Sequence, residues 1–198
     1  MKVVGLCGGS GSGKGLVCSF FSDFNVKCID TDKVYHDMIS TDSECTKELV
    51  AYFGEYIYAR PGVDRARLRD VVFRSMDNLK VLNEISHKYI LSKVRQMIEA
   101  IKREGKALGI VVDAPLLFES RFNEECDTTI AVIADEKIRI ERIISRDSIT
   151  NEAAVKRISS QISNEDLAAR CDYVIENNST PDALKCKVYE LTKALFEN

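Results

Sequence analysis

Apolar residues along this chain fall into short blocks, separated by stretches in which they recur every three to four positions. The blocks are Lys2–Cys7, Val26–Ile29, Leu108–Val112, Thr128–Ile133 and Tyr173–Ile175. Their near-continuous apolar character marks strands buried on both faces, as in a parallel sheet under helices. Between them, Lys14–Phe24, Asp135–Arg146, Asn151–Ile162 and Pro181–Phe196 carry the helical period. This alternation predicts an α/β fold, doubly wound about a five-stranded parallel sheet. It lapses between about residues 33 and 106, where four helical patterns follow one another: Lys33–Ile39, Ser43–Phe53, Arg65–Phe73 and Asn78–Arg103. The last carries a long stripe that includes Leu82, Ile85, Tyr89, Val94 and Ile98, and Arg60-Pro61-Gly62 marks a turn. The expected organisation is one domain, with a core over about 1–32 and 107–198 and a helical insert over about 33–106. The insert is either purely structural or a cover over a second substrate.

The first strand runs into Gly8-Gly9-Ser10-Gly11-Ser12-Gly13-Lys14, and a helical pattern follows at Gly15 and Leu16. Strand, glycine-rich turn and helix form the context of a phosphate-binding P-loop. The glycines let the backbone curl its N–H groups around phosphate oxygens, the helix N-terminus adds partial positive charge, and Lys14 reaches the β- and γ-phosphates. After the lysine, a Ser or Thr hydroxyl normally ligates Mg²⁺; here the residue is Gly15. The cradle survives this change and one metal ligand is lost. Two readings follow: a weakened loop that binds ATP without turning it over, or an active one whose metal is held through phosphates and waters. Adenylate kinases are similar here, with Lys-Gly after the loop.

Composition narrows the class. The chain has 198 residues, 45% hydrophobic and 30% charged, with 28 basic and 31 acidic side chains for a net charge of −3. That is an ordinary soluble composition, with no basic excess to suggest a nucleic-acid or membrane partner. No apolar run approaches about 20 residues and no signal-peptide pattern precedes the loop, so a cytoplasmic protein is expected. The 7 cysteines are scattered without a C-x-x-C pair, and His36 and His87 are the only histidines. No zinc site is readable, and reduced thiols serving as small core residues are expected.

Several polar residues follow predicted strands, where ligands of such folds gather. Asp30-Thr31-Asp32 ends the second strand; one aspartate could cap the next helix while the other accepts a hydroxyl proton in phosphoryl transfer. Val111-Val112-Asp113 places a carboxylate where Walker B aspartates orient Mg²⁺ or its water shell. Arg139, Arg142 and Arg146 fall within an arc of roughly 60° on one predicted helix. They form either a solvated face paired with Glu136, Glu141 and Asp147, or a source of charge for a transferring phosphoryl group. The histidines read as packing or surface residues, and Asn177-Asn178 as a turn that caps the last helix or contacts a base.

These motifs resemble dephospho-coenzyme A kinases over essentially the whole chain. The resemblance rests on Gly8–Lys14, Cys28–Asp32, Asp64–Phe73, Leu82–Ile90 and Val112–Glu119. It also includes Arg142–Asp147 and the spacing of Arg157, Gln161, Arg170 and Asp172 before Tyr173–Asn178. It implies a P-loop NTPase fold with a short arginine-bearing lid over about 142–165. It further implies ATP-dependent phosphorylation of the ribose 3′-hydroxyl of dephospho-coenzyme A, with Mg²⁺ as cofactor and ATP and dephospho-coenzyme A as small-molecule partners; the sequence leaves the oligomeric state open, with a monomer favoured. Gly8, Gly9, Ser10, Gly11, Ser12, Gly13, Lys14, Gly15 and Leu16 would hold ATP phosphates, with Asn177 near the adenine. Lys14, Arg142 and Asp32 would be catalytic, Asp32 as the base. Asp113 would support the metal through water, and His87, Arg65 and Arg69 would face the acceptor. Two positions depart from the family pattern, Gly15 for Ser or Thr and Lys88 for Pro. The alternative enzyme reading is a nucleoside monophosphate kinase.

Overall fold

Five apolar strands carry the fold in the computed structural model, which describes residues 1–197. They are β1 (Val3–Cys7), β2 (Val26–Asp30), β5 (Gly109–Asp113), β6 (Thr128–Ile133) and β7 (Tyr173–Glu176), in the order β2-β5-β1-β6-β7. β1 lies at the centre, parallel to β5 with Leu6 opposite Asp113 and parallel to β6 with Cys7 opposite Ala131. β6 and β7 are also parallel. Every residue of β1 and β5 is buried, which is why both read as unbroken apolar runs.

The helices are α1 (Lys14–Asp23), α2 (Thr31–Ile39), α3 (Glu44–Phe53), α4 (Arg65–Val72), α5 (Met76–Glu104), α6 (Glu136–Asp147), α7 (Asn151–Ser159), α8 (Asn164–Arg170) and α9 (Pro181–Phe196). Residues Tyr58–Ala59 (β3) and Gly62–Val63 (β4) pair as a small antiparallel hairpin around the expected Arg60–Gly62 turn.

Two compact units arise. In the first, Met1–Ile29 and the chain from Ile98 on, α1 and α9 pack together over the sheet. Val17, Phe21, Leu184, Val188 and Leu195 join Val4, Leu6, Val111, Ile130 and Val132 in one apolar cluster. Phe21 meets Phe196 edge-on, ring centroids 6.4 Å apart. A smaller cluster of Ile143, Ala154 and Ile158 holds α6 to α7. The second unit, Asp30–Met97, has its own cluster of Ile39, Cys45, Leu49, Ile57, Leu68, Val72 and Ile85.

Local chemistry shifts several expected boundaries. Asp30 is the last residue of β2 and caps α2, its carboxylate accepting from Lys33 N–H at 3.0 Å; the helix therefore starts at Thr31 rather than Lys33. The helix expected over Asn151–Ile162 stops at Ser159. Ser163 Oγ then accepts from Asp166 N–H at 3.0 Å and starts α8, a helix the apolar period does not reveal. α1 ends one residue early, at Asp23, where Asn25 takes a left-handed conformation (φ 61°).

All seven cysteines are free thiols. Burial pushes Cys45 up to about 11 and Cys126 up to about 12, so both stay protonated near neutral pH. No helix among the described residues is long and apolar enough to cross a membrane.

Candidate active site

The site grows from the end of β1. After Cys7 the chain has no side-chain bulk until Ser10, and it enters α1 through Gly13, a left-handed N-cap (φ 90°, ψ 19°) that offers no side-chain cap. The first N–H groups of α1 are thus left without a capping side chain, which suits an anion. A Cβ at Gly13 would collide with the Asn177 amide, so this corner admits only glycine. Ser12 N–H closes a turn on Gly9 C=O at 3.1 Å.

Lys14 points back across the sheet. Its ammonium pairs with Asp113 Oδ1 at the end of β5, and both side chains are largely withdrawn from water. The Cys18 thiol, one helical turn beyond Lys14, leans on the other Asp113 oxygen at 3.7 Å. Asp113 is therefore the counter-charge of the loop lysine. As a lone hard-oxygen donor it fits a small divalent cation that brings its other ligands with it. Gly15 supplies no ligand, and no group of three or more His, Cys, Asp or Glu among the described residues could hold a metal by itself.

Behind the loop stand two side chains. Asn177 is 3% exposed, and its amide donates to Ser12 C=O at 2.7 Å. Arg142 donates to Gly11 C=O at 3.2 Å and to Asn177 C=O at 3.1 Å. Asn177 lies at the end of the edge strand, where its N–H continues the β6–β7 ladder onto Ile133 C=O at 2.8 Å. Asn178 and Asp135 exchange two hydrogen bonds, each of 2.8 Å, and so tie the end of β7 to the start of α6.

A dephospho-CoA kinase sequence profile matches residues 2–182. The chain belongs to the dephospho-CoA kinase family. The dephospho-CoA kinase of Fusobacterium nucleatum is 38% identical over 189 residues, covering 95% of each chain. Among solved structures, TT1252 of Thermus thermophilus superposes with a TM-score of 0.80 at 24% identity, covering 98% of this chain and 97% of its own. The dephospho-CoA kinase of Campylobacter jejuni gives 0.73 at 22% identity over the same shares. At such identities these two show the fold.

Against the family pattern, the structure brings Gly8–Lys14, Asp113, Arg142 and Asn177 together within the sheet unit. Gly15 and Leu16 follow on the exposed side of α1. Asp32, Arg65, Arg69 and His87 all belong to the other compact unit. There Asp32 is an exposed residue in the first turn of α2, Arg65 and Arg69 lie exposed on α4, and His87 is half-buried on α5. The three arginines expected to share one face of α6 have separate fates. Arg146 and Arg157 both pair with Asp147, whose carboxyl they hold well below the usual carboxylate range, Arg146 most strongly. Arg139 is only 3% exposed. Its burial was legible: it precedes Ile143, at the heart of the α6–α7 cluster, by four residues and so shares that face.

Proposed function

We propose how these side chains carry out the family's reaction, in which the γ-phosphoryl group of ATP passes to the ribose 3′-hydroxyl of dephospho-CoA. Phosphoryl transfer asks little covalent chemistry of a protein; it asks for alignment and for charge where charge accumulates. The Gly11 and Gly13 N–H groups and the open end of α1 receive the phosphates. Lys14 exchanges one anion for another, leaving Asp113 for the β- and γ-phosphates. Asp113, once freed, is the residue that would hold Mg²⁺ through its water shell, and the ion would supply charge neutralisation when bound with ATP. This exchange keeps both ions paired at every stage, and an unpaired buried charge would be costly.

Arg142, held within hydrogen-bond distance of the loop backbone, adds positive potential beside the transferring group. Asn177, nearest the adenine in this reading, acts on the nucleotide by fixing Ser12. Asp32 serves as the base that takes the 3′-hydroxyl proton, since Asp30 is spent on capping α2 and leaves Asp32 as the carboxylate of that turn. His87, Arg65 and Arg69 recognise the acceptor, whose pyrophosphate bridge offers oxygen pairs suited to guanidinium forks.

The observation that carries this reading is the pairing of Lys14 with a strand-end Asp113 beneath an uncapped glycine corner. The test is ADP release from purified protein with ATP and Mg²⁺, offered dephospho-CoA, AMP, CMP or no acceptor. Turnover is expected with dephospho-CoA alone. Comparable turnover with AMP or CMP would overturn the acceptor assignment.

A further inference from the structure

Ser10 is tied on three sides by residues far along the chain. Its N–H donates to Gln161 Oε1 at 2.9 Å, its Oγ accepts from Gln161 Nε2 at 3.2 Å, and its C=O accepts from Arg139 Nε at 2.9 Å. Gln161 lies in the turn between α7 and α8, 151 positions from Ser10. It does not stand alone, because Arg139 Nη2 donates to the same Oε1 at 3.0 Å.

The third arm of the arginine, Nη1, reaches Asn164 Oδ1 at 3.3 Å, and Asn164 in turn donates to Ala134 C=O at 2.9 Å. Every arm of the guanidinium thus has an acceptor, and the group is buried. Gln161 itself is exposed. An exposed glutamine held by three hydrogen bonds gives up rotamer freedom without filling a core. The chain's gain from holding it lies in what it does to Ser10.

We propose that Gln161, seated on Arg139, is a positioning residue for the phosphate loop. It occupies the Ser10 N–H and fixes that peptide. The following N–H groups, Gly11 to Lys14, are then already curled when ATP arrives. This rests on the reading of Gly8–Lys14 as the ATP phosphate loop. A loop ordered in advance binds ground state and transition state alike, so its loss raises KM and leaves kcat. The α7–α8 turn becomes part of the ATP site through backbone order alone, with no contact to nucleotide.

The test is steady-state kinetics of the full chain with Gln161→Ala, Arg139→Lys, the double variant and Lys14→Ala, with ATP and Mg²⁺ and dephospho-CoA as acceptor. For Gln161→Ala, the expected result is an ATP KM raised about tenfold, as for one or two lost hydrogen bonds. The kcat should stay within about twofold, the dephospho-CoA KM should not move, and the melting temperature should stay within about 2 °C. The double variant should raise the ATP KM no further than the worse single variant, because both act through one peptide.

An unchanged ATP KM in Gln161→Ala, or a drop in kcat and in both affinities together with melting temperature, would overturn the proposal. So would fully additive single variants. Lys14→Ala separates the two layers. If it too keeps its ATP affinity, the phosphate-loop reading has failed. If it is impaired while Gln161→Ala is normal, only the positioning role has failed.

Discussion

Gly15 is the residue at which this chain leaves the common P-loop pattern, and its surroundings say what the departure means. A Cβ built there meets nothing within 4 Å, and the backbone is not in the left-handed region. Serine therefore fits without strain, and its absence is not forced by packing. If Asp113 orients a metal brought by the nucleotide, as proposed, a hydroxyl at position 15 is expected to be dispensable. Gly15→Ser should change kcat by less than about threefold in Mg²⁺ and should raise stability by up to about 1 kcal/mol, because glycine in a helix loses more backbone entropy. A tenfold gain in kcat would instead mark the natural site as short of a metal ligand. Asp32 is the complementary case. Asp32→Asn keeps the shape and removes the proposed base, so kcat should fall roughly 10²-fold or more while ATP affinity stays within about twofold. Equal losses in rate and in ATP affinity would argue against the assignment.

Elements show where local pattern was enough and where it was not. β1, β5 and β6 were legible because they are buried on both faces; the edge strands β2 and β7, expected to be buried likewise, instead expose Lys27, Tyr173 and Val174 because each has a neighbour on one side only. Helix starts were legible where Ser43, Thr150 and Thr180 cap them. The break between α7 and α8 was hidden. Gln161 and Ile162 still satisfy the helical period, but Gln161 is drawn onto Ser10 and Ser163 restarts the chain. Asp172 shows how an element is registered. Its Oδ2 accepts from Thr129 N–H at 2.8 Å, from Thr129 Oγ1 at 2.8 Å and from Thr128 Oγ1 at 3.2 Å, stitching the entry of β7 to β6. The Thr129 hydroxyl, then its N–H, hold the Asp172 carboxyl below its ordinary value of 3.8. Because the folded carboxylate is the stronger acid, its contribution is complete above about pH 4 and is lost as pH falls through the folded pKa. Asp172→Ala should cost about 1 kcal/mol at neutral pH, a modest figure because the group is exposed. That corresponds to about 2–4 °C in melting temperature for a chain of this size. The gap to the parent should close on acidification below pH 4; a gap unchanged between pH 7 and pH 3 would rule out the carboxylate as its source.

At the scale of the whole molecule, the nucleotide is itself a stabilising part. ATP with Mg²⁺ at about 100 times its Kd should add about 2.7 kcal/mol to folding, roughly 5–10 °C in melting temperature. Lys14→Ala should lose most of that shift, and without ligand it should melt below the parent because Asp113 loses its buried counter-charge; a full shift in that variant would place the phosphates elsewhere. Two separate apolar clusters underlie the two compact units. What the sequence by itself determined is what depends on near neighbours: the helical and strand periods, the caps, the glycine corner before Lys14, and motifs specific enough to give the family. What only the tertiary structure decided is what joins distant positions. The strand order belongs here, as do the pairing of Lys14 with Asp113 across 99 residues, the seat of Asn177 on Ser12 across 165, and the tie of Gln161 to Ser10 across 151. The physical reason is that an arginine or glutamine in a helical pattern carries no mark of its partner. Arg139 can be placed on the Ile143 face from its spacing, but nothing in the pattern shows that the loop carbonyl of Ser10 and the Gln161 and Asn164 amides are the acceptors within its reach.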